Sequence, residues 1–264
     1  MALVFLKLGG SLITDKSRPY TARPRKIASL ASEIADALQG NPELQLVLGH
    51  GSGSFGHEAA NRYQTRQGVI GSDAWHGFAE VWYQASELNR RVVDSLRQEG
   101  LPAVTLSPAA SVTAHDGKVF IWDTYPIITA LSNQLLPVIH GDVAFDDIRG
   151  GTILSTEDLF VHLAATLYPK RILLAGMEAG VWADFPSRKR LIRQITPADL
   201  ADQALDLRGA AGTDVTGGMR SKVQEMLALA EKIPGLEIQI FSGEKPGNLK
   251  RALQGDVFGT LLRC

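Results

Sequence analysis

Short apolar runs alternate with amphipathic stretches along the whole chain. Residues 3–8 form a β-rich apolar run that opens directly on Gly9-Gly10-Ser11, which predicts a buried strand ending in a loop. Residues 13–25, with Lys16, Arg18, Pro19 and Pro24, read as a mobile polar loop. Ile27, Leu30, Ala31, Ile34 and Leu38 then recur at helical spacing until Gly40-Asn41-Pro42 stops them. Residues 44–48 predict a second buried strand, which runs into the glycine-rich segment Gly49-His50-Gly51-Ser52-Gly53-Ser54-Phe55-Gly56-His57, with a helix expected to start over residues 58–62. The longest helical pattern covers Ser72–Gln98, and Phe78, Val81, Trp82, Ala85, Leu88, Val92, Val93 and Leu96 give it a heavy apolar side.

Further strands are expected at 103–106, 119–122 and Leu136–His140, followed by a helix over 157–168 capped by Ser155 or Thr156. Residues 171–175 are a strand of the fully buried, parallel type, opening on Gly176-Met177-Glu178-Ala179-Gly180. A second glycine-rich segment, residues 212–222, precedes a helix to Ile233, a strand at 237–241, a short helix over Asn248–Leu253 and a closing apolar segment. Strands alternating with helices predict an α/β fold, a three-layer αβα sandwich with a central, mostly parallel sheet. The expected division is two lobes of one continuous sheet, with a boundary near Tyr168 (approximately 1–168 and 169–264). In such sheets ligands bind beyond the carboxyl ends of strands, where every glycine cluster here falls.

Composition narrows the partners. With 264 residues, 45% hydrophobic and 21% charged, and a formal net charge of −1, the chain has an ordinary globular core and no broad basic footprint for nucleic acid or membrane surfaces. Cys264 is the single cysteine, so no intramolecular disulfide forms and a reducing compartment is the simplest setting. The apolar start meets Lys7 at once and is too short for a signal sequence, and no run reaches the roughly 18 apolar residues of a membrane span. The expectation is a soluble, cytoplasmic protein.

The candidate chemistry lies at the strand ends. Lys7 precedes Gly9-Gly10-Ser11, Lys16 follows in the next loop, the 49–57 segment supplies glycines, and Lys222 stands one turn into a helix that begins at Gly217-Gly218. Taken singly, each has a bland alternative: a strand terminus, a loop lysine, a tight turn, a solvated helix charge. The Walker pattern is absent, as are a dinucleotide fingerprint with its acidic residue, H-E-x-x-H, C-x-x-C and G-x-S-x-G. Together, lysines and glycine N–H groups suit polyphosphate. Phosphoryl transfer needs such a set to align donor and acceptor and to place positive charge on the transferred group.

Read as an ordered set, Lys7-Leu8-Gly9-Gly10-Ser11, Lys16, Ser54-Phe55-Gly56-His57, Val138-Ile139-His140-Gly141-Asp142 and Asp214-Val215-Thr216-Gly217-Gly218-Met219 resemble the amino acid kinase superfamily, and within it the isopentenyl phosphate kinase family. The resemblance runs from residue 4 to about 260. It implies the fold expected above, a homodimer, and ATP-dependent phosphorylation of isopentenyl phosphate, with Mg²⁺ held mainly by the nucleotide phosphates and no metal ligands from the protein. Carried over position by position, it implies that Lys7, Gly9, Gly10 and Ser11 hold the ATP phosphates and that Lys16 stabilises the transferring group. Ser52 and Gly53 would lie between donor and acceptor, His57 would hydrogen-bond the acceptor's phosphate with Thr156 near it, and Gly218 and Lys222 would contact ATP. Lys7, Lys16 and His57 form the catalytic set. His57 discriminates, because related kinases acting on carboxylates or nucleotides do not present it after the glycine loop. His140 and Asp142 would order the loop beside the acceptor.

Two positions depart from the family pattern. Met177 stands where an aspartate is usual, leaving Glu178 as the substitute contact to the nucleotide. Ser155-Thr156-Glu157-Asp158 replaces S-G-D-D, so either Glu157 or Asp158 orients the lysines. Phe78, Val81, Trp82 and Ala85 offer a wall for an isoprenoid tail or, equally, ordinary core packing. Two other functions stay open: a kinase of the same fold for another phosphate, a phosphonate or a carboxylate, and a non-catalytic nucleotide sensor or storage protein.

Overall fold

The computed structural model describes residues 2–201 and 218–264. The chain begins with β1 (Ala2–Leu8), the single turn α1 (Gly10–Ile13), α2 (Pro24–Gly40), β2 (Leu44–His50), α3 (Gly53–Tyr63) and α4 (Ser72–Gln98). There follow β3 (Ala103–Thr105), α5 (Pro108–Ser111), β4 (Val112–His115), β5 (Lys118–Trp122), α6 (Tyr125–Ser132), β6 (Leu136–His140), β7 (Asp142–Asp146), β8 (Gly150–Leu154) and α7 (Thr156–Leu167). The rest comprises β9 (Arg171–Gly176), β10 (Val181–Trp182), β11 (Leu191–Ile192), β12 (Gln194–Ile195), α8 (Pro197–Ala201), α9 (Gly218–Lys232), β13 (Glu237–Ser242), α10 (Asn248–Leu253) and β14 (Thr260–Leu262). No described helix is long and apolar enough to cross a membrane.

The main sheet has the order β12-β14-β13-β9-β1-β2-β6-β3, and its pairs are parallel except β13–β14. β1 lies inside it, between β2 and β9, and is buried on both faces. Val4, Leu6 and Leu8 point into one core with α2, α4 and α10, while Phe5 points into the other with α7 and α9. This period-two alternation decides where the polar residues at the strand ends go. Lys7 falls on the Phe5 side, toward α7. His50 and His140, at paired positions of β2 and β6, fall on the side of Leu48 and Val138, toward α4. The sequence reading and the structure agree on the αβα layers.

Two differences have physical causes. The helix expected to begin at residue 58 begins at Gly53, so the second half of the glycine segment is helical, and Gly56 and His57 stand on the first turns of α3. Gly53, at φ +51°, takes the left-handed backbone that a residue with a Cβ adopts only under strain. A second sheet, β5-β4-β7-β8, was not anticipated. Its strands are only four or five residues long, and β7 follows β6 with only Gly141 between. That sheet packs against the first half of α4 around Val69, Phe78, Val81 and Val143. Of the two caps expected for α7 the structure takes Ser155, whose hydroxyl accepts from the Asp158 N–H while the Asp158 carboxylate accepts from the Ser155 N–H, a closed capping box.

Candidate functional site

The carboxyl ends of β1, β2, β6 and β9 open on one cleft of about 480 Å³. Two glycine turns meet at its centre. A Cβ on Gly10 would stand 2.5 Å from the Gly53 backbone nitrogen, so the turn after β1 and the turn after β2 touch only because both are glycine. Their contact brings the N–H groups of two strand ends to one point, as a phosphate-binding site requires. Every residue given a catalytic or phosphate-binding role from the sequence lines this cleft: Lys7, Gly9, Gly10, Ser11 and Lys16 from the first turn and its loop; Ser52, Gly53 and His57 from the second; Thr156 at the start of α7; and Gly218 and Lys222 from α9. Residues 214–217 of the second glycine motif lie outside the described residues.

Glu157 organises the cations. It is buried at the start of α7, and one of its carboxylate oxygens accepts a hydrogen bond from the Lys7 amine. The other lies 3.2 Å from Lys222 Nζ. Burial alone would raise the Glu157 pKa, but the charges of Lys7 and Lys222, together with the Lys7 hydrogen bond, hold it well below the usual carboxylate range. Glu157 is therefore an anion throughout the working pH range and spaces two lysines that would otherwise repel each other. Of the two acids left open by the sequence, Glu157 takes the lysines and Asp158 takes the cap. Thr156 supports the same corner, because its hydroxyl donates to the His50 carbonyl at 2.7 Å. Gly49 lets α7 approach that closely: a Cβ there would meet Thr156 and Phe160.

Behind the second glycine turn, His50 and His140 stack with ring centroids 5.4 Å apart, and both are buried. His50 Nε2 is 3.1 Å from Asn89 Oδ1 on α4, and Nδ1 is 3.2 Å from the Gly51 carbonyl. The network ties the glycine turn to the long helix. His140 Nε2 lies 3.4 Å from Asp142 Oδ2 but outside hydrogen-bond geometry. Burial, then the neighbouring His140, lower the His50 pKa from 6.5 to about 4. A histidine whose folded pKa is lowered contributes stability that is complete above its unfolded pKa and lost as pH falls toward the folded value. We therefore expect His50 to cost the fold about 1.4 kcal/mol per pH unit between pH 6.5 and about 4. Urea unfolding of the native chain and of His50→Gln across that window checks this. A slope that survives the substitution unchanged would assign the acid sensitivity to other groups.

Not every expectation at the cleft edge is met. Glu178 lines the cleft, yet its carboxylate accepts hydrogen bonds from Arg188 at 2.7 and 2.9 Å and from Trp182 Nε1 at 2.9 Å. Its oxygens hold the 182–188 segment in place rather than standing open for a ribose. Of the four wall residues on α4, Val81 alone reaches the cleft, beside Ala60 and Ile153. Phe78 is buried behind it, Ala85 is core, and Trp82 is exposed. Arg66, on the single 3-10 turn Thr65–Gln67, also lines the cleft. No sequence motif points to it.

A model of the amino acid kinase family matches residues 2–242. The chain is 35% identical to the isopentenyl phosphate kinase of Methanothermobacter thermautotrophicus over 261 residues, covering 96% of each protein. It is likewise 35% identical to the isopentenyl phosphate kinase of Methanocaldococcus jannaschii, covering 98% of this chain and 97% of that one. Among solved structures, one of isopentenyl phosphate kinase superposes with a TM-score of 0.83 at 33% identity, covering 98% of this chain and 99% of the other.

Proposed function

Because this chain belongs to the amino acid kinase family, and within it to the isopentenyl phosphate kinases, we propose that it transfers the γ-phosphoryl group of ATP to isopentenyl phosphate, giving ADP and isopentenyl diphosphate. The observation that carries this reading is the contact of the two glycine turns, with Lys7 and Lys222 held beside it by Glu157. The first turn, Gly9-Gly10-Ser11, with Lys7, Gly218 and Lys222, is assigned to the ATP phosphates. The second, Ser52-Gly53, with His57 and the start of α7 at Thr156, is assigned to the acceptor phosphate. The lobe up to about residue 168 thus carries the acceptor and lends Lys7 and Gly9-Gly10-Ser11 to the ATP phosphates, and the lobe 169–264 carries the rest of the nucleotide.

An oxygen of the acceptor phosphate attacks the γ-phosphorus as the bond to the ADP oxygen breaks, and the displaced charge leaves with ADP. The nucleophile is already anionic, so the protein needs no general base. It must align two repelling phosphates and spread positive charge over the group in flight. Lys7 and Lys222 are positioned for that in the resting protein, and Lys16 joins from its exposed loop. Among the described residues the acids that line the cleft are already engaged, Glu157 with Lys7 and Lys222, Glu178 with Arg188 and Trp182, and Asp142 with the Val143 N–H and the Ser107 hydroxyl. Mg²⁺ would therefore be held mainly by the nucleotide phosphates, where it supplies further neutralising charge.

The apolar end of the cleft, Ala60, Val81 and Ile153, suits the isoprenoid tail. Val81→Phe is expected to lower kcat/KM for isopentenyl phosphate by roughly 10- to 100-fold, as a pocket shortened by a few carbons does, and to leave the KM for ATP unchanged. Unaltered acceptor kinetics would place the tail elsewhere. Two copies are proposed to pair, in keeping with exposed Phe120 and Ile121 on β5 and Tyr125 on α6; sedimentation at a single species of monomer mass would contradict this. A cytoplasmic location is part of the same proposal. Coupled ADP release with isopentenyl phosphate, dimethylallyl phosphate, longer prenyl phosphates, fosfomycin, acetylglutamate and UMP tests the assignment. The expected order places isopentenyl phosphate first. Preference for a phosphonate or carboxylate would move the chain to another kinase of this fold, and nucleotide binding without turnover would make it a sensor.

A further inference from the structure

The acceptor side of the cleft holds a cation that the proposed mechanism does not use. α3 ends at Tyr63, and Gln64 after it, with a φ of 54°, turns the chain sharply into the 3-10 turn Thr65–Gln67. The backbone there is pinned: the Arg66 carbonyl accepts from Arg149 Nη1 and from Thr152 Oγ1, both at 3.3 Å. The Arg66 side chain lines the cleft with His57 and Ser155. Its Nη1 is buried and makes no hydrogen bond among the described residues. Its Nη2 lies 3.7 Å from Asp158 Oδ2, an oxygen that already accepts from the Ser155 N–H at 2.7 Å and the Ser155 hydroxyl at 2.6 Å. The ion pair is therefore loose, and the carboxylate's hydrogen-bonding capacity at that oxygen is spent on the helix cap.

A guanidinium cannot relieve such a position by losing its proton. A buried N–H without an acceptor is unfavourable in the resting protein, and an incoming anion with several oxygens removes the penalty. On this ground, and resting on the function proposed above, we propose that Arg66 binds the phosphate of the acceptor. After transfer, that same phosphate is the inner one of the diphosphate product, so Arg66 stays engaged through the reaction. The ligand class is a phosphate monoester dianion, for which the planar fork of arginine is suited to bidentate contact. His57 would then hold one side of the acceptor phosphate and Arg66 another, which fixes its orientation for attack as well as its charge.

Steady-state kinetics of the full chain test this, with isopentenyl phosphate and ATP each varied against saturating partner, for the native protein, Arg66→Ala and Arg66→Lys. Inorganic pyrophosphate serves as a competitive probe against the acceptor. Arg66→Ala is expected to raise the acceptor KM roughly 10- to 100-fold, the loss of one charge-assisted contact, to weaken pyrophosphate inhibition in parallel, and to leave the ATP KM unchanged. Arg66→Lys, which keeps the charge without the fork, should fall between. The inference is overturned if the acceptor KM stays at the native value, if both KM values rise together, or if the variant loses only thermal stability. Native protein that fails to turn over isopentenyl phosphate would instead remove the functional reading on which this inference rests, whereas an active native protein with an indistinguishable Arg66→Ala removes Arg66 alone.

Discussion

Lys16→Ala is expected to cut turnover by about two to three orders of magnitude while the KM for ATP changes little. Lys7 and Lys222 rest on Glu157, so their charge is organised before any ligand arrives. Lys16 instead stands exposed at the cleft, on the loop that follows α1. A lysine with a free-standing stem gains most when charge gathers on the equatorial oxygens of the transferring group. An interaction made chiefly in the transition state raises kcat and contributes little to ground-state binding. Rapid-quench single-turnover rates, combined with ATP binding by calorimetry, separate the two terms. Weakened ATP binding with an unchanged chemical step would show that Lys16 is a nucleotide anchor instead.

The second large effect is expected at His57. Replacing it by alanine should lower kcat/KM for isopentenyl phosphate by about a hundredfold, as removal of a hydrogen bond to a charged group does, with ATP affinity retained. His57→Asn, which keeps a donor, should recover part of the loss. His57 stands half-buried on the second turn of α3, at the cleft, and α3 begins at the glycine that touches the other turn. Its position is therefore fixed by the same contact that aligns donor with acceptor. Acceptor kinetics indifferent to His57 would remove the main ground for a phosphate monoester as substrate.

Much of this site was legible before the structure because its residues sit where strands end. Glycine after an apolar run marks a strand's carboxyl end, and a parallel sheet gathers such ends on one edge. The partner of Lys7 stayed open between Glu157 and Asp158, although the sequence holds a signal that separates them. The Ser155-x-x-Asp158 spacing is a capping box, which assigns Asp158 to the helix end and leaves Glu157 for the lysines. What remained was a matter of faces. In a sheet buried on both sides every residue reads as apolar, so the pattern does not reveal that Lys7 turns toward α7 and His50 toward α4.

The helical face of α4 has the same ambiguity. Phe78, Val81 and Ala85 share a face by spacing, but only the small second sheet determines that Val81 meets the cleft and Phe78 is closed in behind it. α3 starts earlier than its glycines suggest, because Gly53 and Gly56 lie in the helix and serve close approach: Gly53 beside Thr14, Gly56 beside Ser52. Arg66 gave no signal at all. It follows a helix end in a polar stretch, and only the path of the turn after Gln64 carries it to the cleft.

The central claim is that the two glycine turns hold two phosphates, one of them on an isoprenoid. Phosphorus NMR of a single mixture of native protein, ATP, Mg²⁺ and isopentenyl phosphate tests it most directly. The account predicts that the monoester signal is replaced by the paired doublets of isopentenyl diphosphate as ADP appears in equal amount. ADP accompanied by inorganic phosphate, with the monoester signal intact, would contradict it.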